Sequence, residues 1–161
     1  MDLVTVKFLH VLSSTFLFGT GVGTAFYLFF ISLTRDARTV AVVARYVVVA
    51  DWIFTATTVV IQPVTGFYLA HRLYLPLSTP WLYWSIVLFV FAAACWLPVV
   101  WLQMRLRDVA VAAVAQGRTE LPAQYARLLG AWTALGVPAL FSFLAIFYMM
   151  VAKRLPFGWG A

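Results

Sequence analysis

Charge is scarce in this chain. Of its 161 residues only five are Asp or Glu and eleven are Lys or Arg, so charged positions make up 10%. An ordinary soluble domain carries roughly 25%. Hydrophobic residues reach 65% and the mean hydropathy is +0.98. A soluble core of this size cannot bury that much apolar surface. A soluble globular enzyme and a disordered chain are therefore excluded. Cysteine is almost missing too. The single Cys95 permits no intramolecular disulfide and no CxxC metal pair, and in an apolar run it reads as a small buried hydrophobe. There is no HExxH, GxSxG or P-loop, and no pair of carboxylates at membrane depth. Hydrolysis and phosphoryl transfer have no residues to carry them, and no ion-channel filter is present. The start, Met1-Asp2-Leu3, lacks a basic leader and an A-x-A cleavage site, so it is read as a retained first transmembrane helix.

What remains is an integral membrane protein. A helical span needs about 20 mostly apolar residues. Four segments qualify: about Val4 to Leu33, Val40 to Ala70, Trp81 to Met104 and Leu128 to Val151. An open sheet cannot cross lipid, and no alternating ten-residue pattern signals a barrel. The expected fold is all-α, a four-helix antiparallel transmembrane bundle in one domain. The connectors are the charged Thr34–Arg38 loop, the proline-bounded Leu75–Pro80 turn and the long Arg105–Arg127 segment. In the last, Val109–Ala115 either prolongs the third helix or lies at the interface. Pro63, Pro98 and Pro138 fall inside spans and are expected to kink them.

The net charge of +6 points to topology and anionic headgroups rather than to nucleic acid. Arg35, Arg38, Arg45, Arg105, Arg107, Arg118 and Arg127 fall on the side of the first and third connectors, against Lys7, Arg72, Lys153 and Arg154 on the other. The positive-inside rule puts the arginine-rich side in the cytoplasm and both termini outside. Trp81 and Trp84 then anchor the outer interface, and Trp52, Trp101 and Trp132 the inner one. Gly19 and Gly23 form a G-x-x-x-G pair, a candidate homodimer face, while Gly21 points the other way.

Ionisable groups inside spans are costly and are candidate functional residues by default. His10 shares a helix face with Ser14, Leu17, Gly21 and Thr24, small and polar enough to admit a flat macrocycle beside a ligand histidine. The competing readings of His10 are a hydrogen bond to a neighbouring helix or contact with headgroups. His71, at the end of the second span, belongs to the same outer half, either as an interfacial residue or as a second axial ligand. Haem b in a helical bundle is held between two helices, by histidine or methionine. Lys7, Arg72, Lys153 and Arg154 lie at the same end, where propionates would need neutralising. Met149 and Met150 complete a His/Met set that suits Cu(I), the alternative cofactor, or else are core or lipid-facing residues. Asp51 is expected either to pair with Arg45, Arg105 or Arg127 or to act as a proton entry group. Gln62-Pro63 and Thr65-Gly66 supply polar atoms in mid-membrane, where such breaks line cavities or cofactors.

Several of these residues carry a resemblance. Val6-Lys7-Phe8-Leu9-His10-Val11-Leu12 with Gly19, Ala50-Asp51-Trp52-Ile53-Phe54-Thr55-Ala56, Gln62-Pro63-Val64-Thr65-Gly66, Pro80-Trp81-Leu82, and Cys95-Trp96-Leu97-Pro98-Val99 with Gln103 together resemble an uncharacterised family of bacterial four-helix integral membrane proteins. That family looks like a member of the group holding the copper-resistance-D-type domain and the HemJ-type protoporphyrinogen oxidase. The resemblance implies haem b with His10 as an axial ligand. The lysine of the HemJ-type third helix has no counterpart between Trp81 and Met104, so it implies the cofactor more than the oxidase activity. The expectation is a bacterial inner-membrane protein holding haem b near its outer face for electron transfer or haem-linked oxidation, alone, as a homodimer or with other membrane redox subunits. A copper-handling protein and a cofactor-free structural or assembly subunit are the rivals.

Overall fold

A computed structural model describes residues 2–156. It contains four long apolar helices: α1 (Leu3–Leu33), α2 (Ala37–Arg72), α3 (Pro80–Ala115) and α4 (Ala123–Ala152). At about 1.5 Å per residue, a 36-residue helix such as α2 or α3 is far longer than a hydrocarbon layer of about 30 Å. Val109–Ala115 is thus the end of α3, not a separate interfacial segment.

The helix starts follow local chemistry. Asp2 accepts the Thr5 amide at 2.6 Å and Asp36 the Thr39 amide at 2.7 Å, each capping the first turn of its helix. Those bonds hold both exposed carboxyls below the usual range; for Asp36 the hydroxyl of Thr39 contributes first and its amide second. Pro80 opens α3, where its missing N–H costs nothing. Lys153 ends α4 in the left-handed region at φ 54°. The helices run unbroken through Pro63, Pro98 and Pro138. The irregularity in α2 lies upstream of its proline. Asp51–Thr55 is a π-helical turn in which Ala56 N–H reaches back five residues to the Asp51 carbonyl.

Packing is uneven along the bundle. The helices pair as α1 with α2 and α3 with α4, and the two hairpins join where the first half of α2 meets the second half of α3. There Ala37, Ala41 and Ala44 let the helices close on Leu106, Ala110 and Ala113. The two arginine-rich connectors lie at this same end and pair with each other. Ala37 N–H donates to the Thr119 carbonyl at 2.9 Å and Leu121 N–H to that of Arg35 at 3.0 Å. Ser32 donates to the Leu28 carbonyl at 2.6 Å, so the Tyr125 hydroxyl donates to Ser32 at 2.7 Å, tying α1 to α4. Toward the other end α1 barely meets α4, and the second half of α2 packs on α1. Above the arginine end the hairpins are therefore loosely joined, with the Phe18 and Phe147 rings meeting edge-on at 5.1 Å. Val42, Val90, Leu97 and Phe141 face outward and exposed, as a lipid solvent requires. A Cβ at Gly19 or Gly23 would meet nothing within 4 Å, so neither glycine serves helix packing inside the chain.

Candidate functional site

Two separate clusters of polar side chains link the helices within the membrane interior. The first joins α1 to α2 in the half nearer the termini. His10 and Ser13 stand one turn apart on α1, facing Gln62, Thr65 and Gly66 on α2. Thr65 spends its hydroxyl proton on the Ile61 carbonyl at 2.7 Å, so its oxygen accepts from His10 Nδ1–H at 2.8 Å. The Ser13 hydroxyl donates to Gln62 Oε1. The same hydroxyl lies 3.0 Å from the His10 carbonyl, and Gln62 Nε2 lies 3.3 Å from His10 Nε2. These contacts suit a neutral His10 that carries its proton on Nδ1 and faces Gln62 with Nε2. Gly66 makes room for it, since a Cβ there would stand 3.1 Å from His10 Cε1. Of the readings open for His10, the hydrogen bond to a neighbouring helix describes this arrangement.

The second cluster lies deeper, where the hairpins meet. The π turn buries both Asp51 and Thr55. Thr55 donates to Asp51 Oδ1 at 2.9 Å, and Gln103 Nε2 donates to Asp51 Oδ2 at 2.6 Å. Trp132 Nε1–H donates to Gln103 Oε1 at 3.1 Å. One chain of hydrogen bonds thus crosses α2, α3 and α4. Asp51 does not pair with Arg45, Arg105 or Arg127. The one ion pair among the described residues is Arg107 with Asp108, and Arg105 lies over the Trp101 ring at 5.4 Å instead. Trp132, expected as an interfacial anchor, is buried and belongs to this cluster. Gln62, expected to supply polar atoms in mid-membrane, belongs to the first cluster.

Between the loosely joined hairpins lies a cavity of about 400 Å³. Its wall is almost wholly apolar and rich in rings, and Asp51, Thr55, Gln103 and Trp132 supply polar atoms to it. Gly21, predicted to leave space for a ligand, does border it, and Thr24 lies beside it. His10, Ser14, His71 and Met149 do not. His71, Lys7 and Arg72 are exposed, while Met149 is fully buried in α4. Arg72 lies over Tyr68 at 5.9 Å and Lys153 over Trp81 at 4.2 Å. Burial and the nearby Lys7 push the Lys153 ammonium below its usual range. His10, His71 and Met149 are not brought together as a ligand set. Among the described residues no three His, Cys, Asp or Glu gather where a metal ion could sit. Sequence reasoning missed the roles of Gln103 and Trp132. The available signal was the amide of Gln103 inside the apolar third span, a polar group at membrane depth that needs a partner.

Four long apolar helices with lipid-facing exteriors and polar groups gathered inside define a polytopic integral membrane protein. The chain belongs to the family DUF2269, described as a predicted integral membrane protein, whose family model matches residues 4–154. No curated protein and no solved structure matches it.

Proposed function

We propose that the protein binds a lipid-soluble small molecule inside the membrane, in the cavity between its two hairpins. The observation that carries this reading is the coincidence of that cavity with the Asp51–Gln103–Trp132 chain. Its volume is in the range of small-molecule sites, about 300–1,000 Å³. An apolar wall with a few fixed polar groups is the usual form of such a site. Polar side chains at membrane depth are costly unless they bond each other or a ligand. The route in is lateral, from lipid, because the hairpins are loosely joined beside it. Extraction of the detergent-purified protein, followed by mass spectrometry, tests the reading. A lipid-soluble molecule retained at about one per chain is expected. Gly136 borders the cavity and has no atom within 4 Å of a Cβ position, so Gly136→Leu should fit locally, fill part of the space and expel the ligand. Identical, substoichiometric lipid from both proteins would overturn the reading.

Haem b is a second reading, favoured by one observation. Thr65 lies 2.8 Å from His10 Nδ1 and gives its own proton to the Ile61 carbonyl, which favours Nε2 as the basic nitrogen, the form an axial ligand takes. Among the described residues the Gln62 amide, at 3.3 Å, meets that nitrogen. Haem would supply one-electron chemistry there, and His10 would exchange the Gln62 bond for iron. His71, Lys7, Arg72 and the copper alternative add no observed contact to this reading. A Soret band in the purified protein, lost in His10→Ala, would support it. A colourless preparation from haem-replete cells would end it.

A further inference from the structure

The cavity's unused hydrogen-bonding capacity points to the kind of molecule it takes. Trp96 and Gln103 lie on one face of α3, seven residues and two helical turns apart. The Trp96 side chain lines the cavity, yet its Nε1 is buried with no hydrogen-bond partner among the described residues. A buried indole N–H without an acceptor is costly, more so in lipid, where no water can reach it. It is also rare enough to call for an explanation. Gln103 gives one amide N–H to Asp51 and has a second on the same nitrogen. Both groups are thus donors carried by one face of α3, although the Trp96 N–H is buried behind the cavity surface. The rest of the wall includes Phe18, Phe29, Phe89 and Phe143, ring faces and edges that pack well against a flat ring.

Resting on the cavity reading above, we infer that the ligand is a flat, lipid-soluble molecule with two acceptor oxygens, of the quinone class. One carbonyl takes the Trp96 indole N–H after a turn of that ring about its side-chain bond. The other takes the second N–H of Gln103. A hydrocarbon of the same shape leaves both donors unpaired.

The test is calorimetric titration of the full-length protein in matched detergent. The probes are a benzoquinone with a ten-carbon tail and decylbenzene, which has the tail but no oxygen. Saturable binding of the quinone at one per chain is expected, with decylbenzene at least roughly tenfold weaker. Trp96→Phe keeps the ring and removes the donor. It should weaken quinone binding about three- to tenfold, the loss of one neutral hydrogen bond, and leave decylbenzene unchanged. Trp84→Phe, at an exposed position away from the cavity, should change neither. If decylbenzene binds as tightly as the quinone, or Trp96→Phe leaves quinone affinity intact, the quinone assignment is overturned while the cavity reading stands. If neither probe binds and extraction recovers no ligand, the cavity reading itself falls.

Discussion

Gln103→Leu perturbs the point where three helices are tied together. The side chain is 3% exposed, donating to Asp51 at 2.6 Å and accepting from Trp132 at 3.1 Å. Leucine fills similar space but satisfies neither partner. Asp51 keeps only the Thr55 bond, and Trp132 keeps none. Leaving a buried donor or acceptor unpaired costs about 1–3 kcal/mol each. Measured interhelical bonds in bilayers are smaller, averaging about 0.6 and reaching about 1.7 kcal/mol. Two bonds lost together should therefore cost about 2 kcal/mol. Reversible unfolding in mixed micelles, followed by helical circular dichroism, measures it. Asp51→Leu in the same background provides the second arm of a double-mutant cycle. Replacing both partners of the carboxyl–amide bond with apolar groups is far milder than stranding one. The double variant should thus recover at least about 0.5 kcal/mol relative to the sum of the singles. A cost below about 0.5 kcal/mol for Gln103→Leu, with additive singles, would refute the claim that this cluster fastens the hairpins. Ser142→Ala is the control, because that hydroxyl bonds only the Pro138 carbonyl of its own helix.

Three further outcomes are expected. Gly66→Ala should destabilise by about 1 kcal/mol, because its Cβ would press on His10. In a His10→Ala background the same change should become stabilising, since alanine exceeds glycine in helix propensity by about 0.8–1 kcal/mol; no change of sign in the unfolding assay would count against the close contact. Asp36, whose pKa is lowered from 3.8 by its Thr39 bonds, contributes stability that is fully present above about pH 4 and lost as acid protonates the folded carboxyl. The Asp36→Asn variant should show a flatter acid limb in a stability-against-pH curve than the parent chain, and superimposable curves would remove the linkage. Finally, with Cys95 replaced by serine, Thr79→Cys should react with a membrane-impermeant maleimide in intact cells and Arg118→Cys only after lysis; the reverse pattern would invert the orientation.

Much of the architecture was legible in the sequence. Composition dictated a lipid solvent, and four apolar runs in a protein this poor in charge can satisfy their backbones only as helices. The boundaries were less legible. α2 and α4 begin three and five residues before the apolar runs do, at Ala37 and Ala123, because capping and packing between the connectors extend helices past the hydrocarbon. His10 stood out as a titratable group within a span, and its companions Gln62 and Thr65 were visible as polar atoms on the second. Their union in one network was not visible, because spacing along one helix gives a face but not the helix it meets.

The deeper cluster belongs wholly to the tertiary structure. Asp51 invited an arginine partner by charge, yet the π turn aims it inward, and an amide from α3 reaches it while the arginines turn elsewhere. Trp132 reads as an interfacial anchor by type and position, but the approach of the hairpins buries it. Of the cavity's wall the sequence marked only Leu17, Gly21 and Thr24 as room for a ligand, and it did not show the space they border. It exists because α2 and α3 close tightly at small alanines near one end, while beyond it α1 and α4 meet sparsely, as where the Phe18 and Phe147 rings touch edge-on. Hydropathy sets what must face lipid; only the relative placement of the helices decides which polar groups meet and where space is left between them.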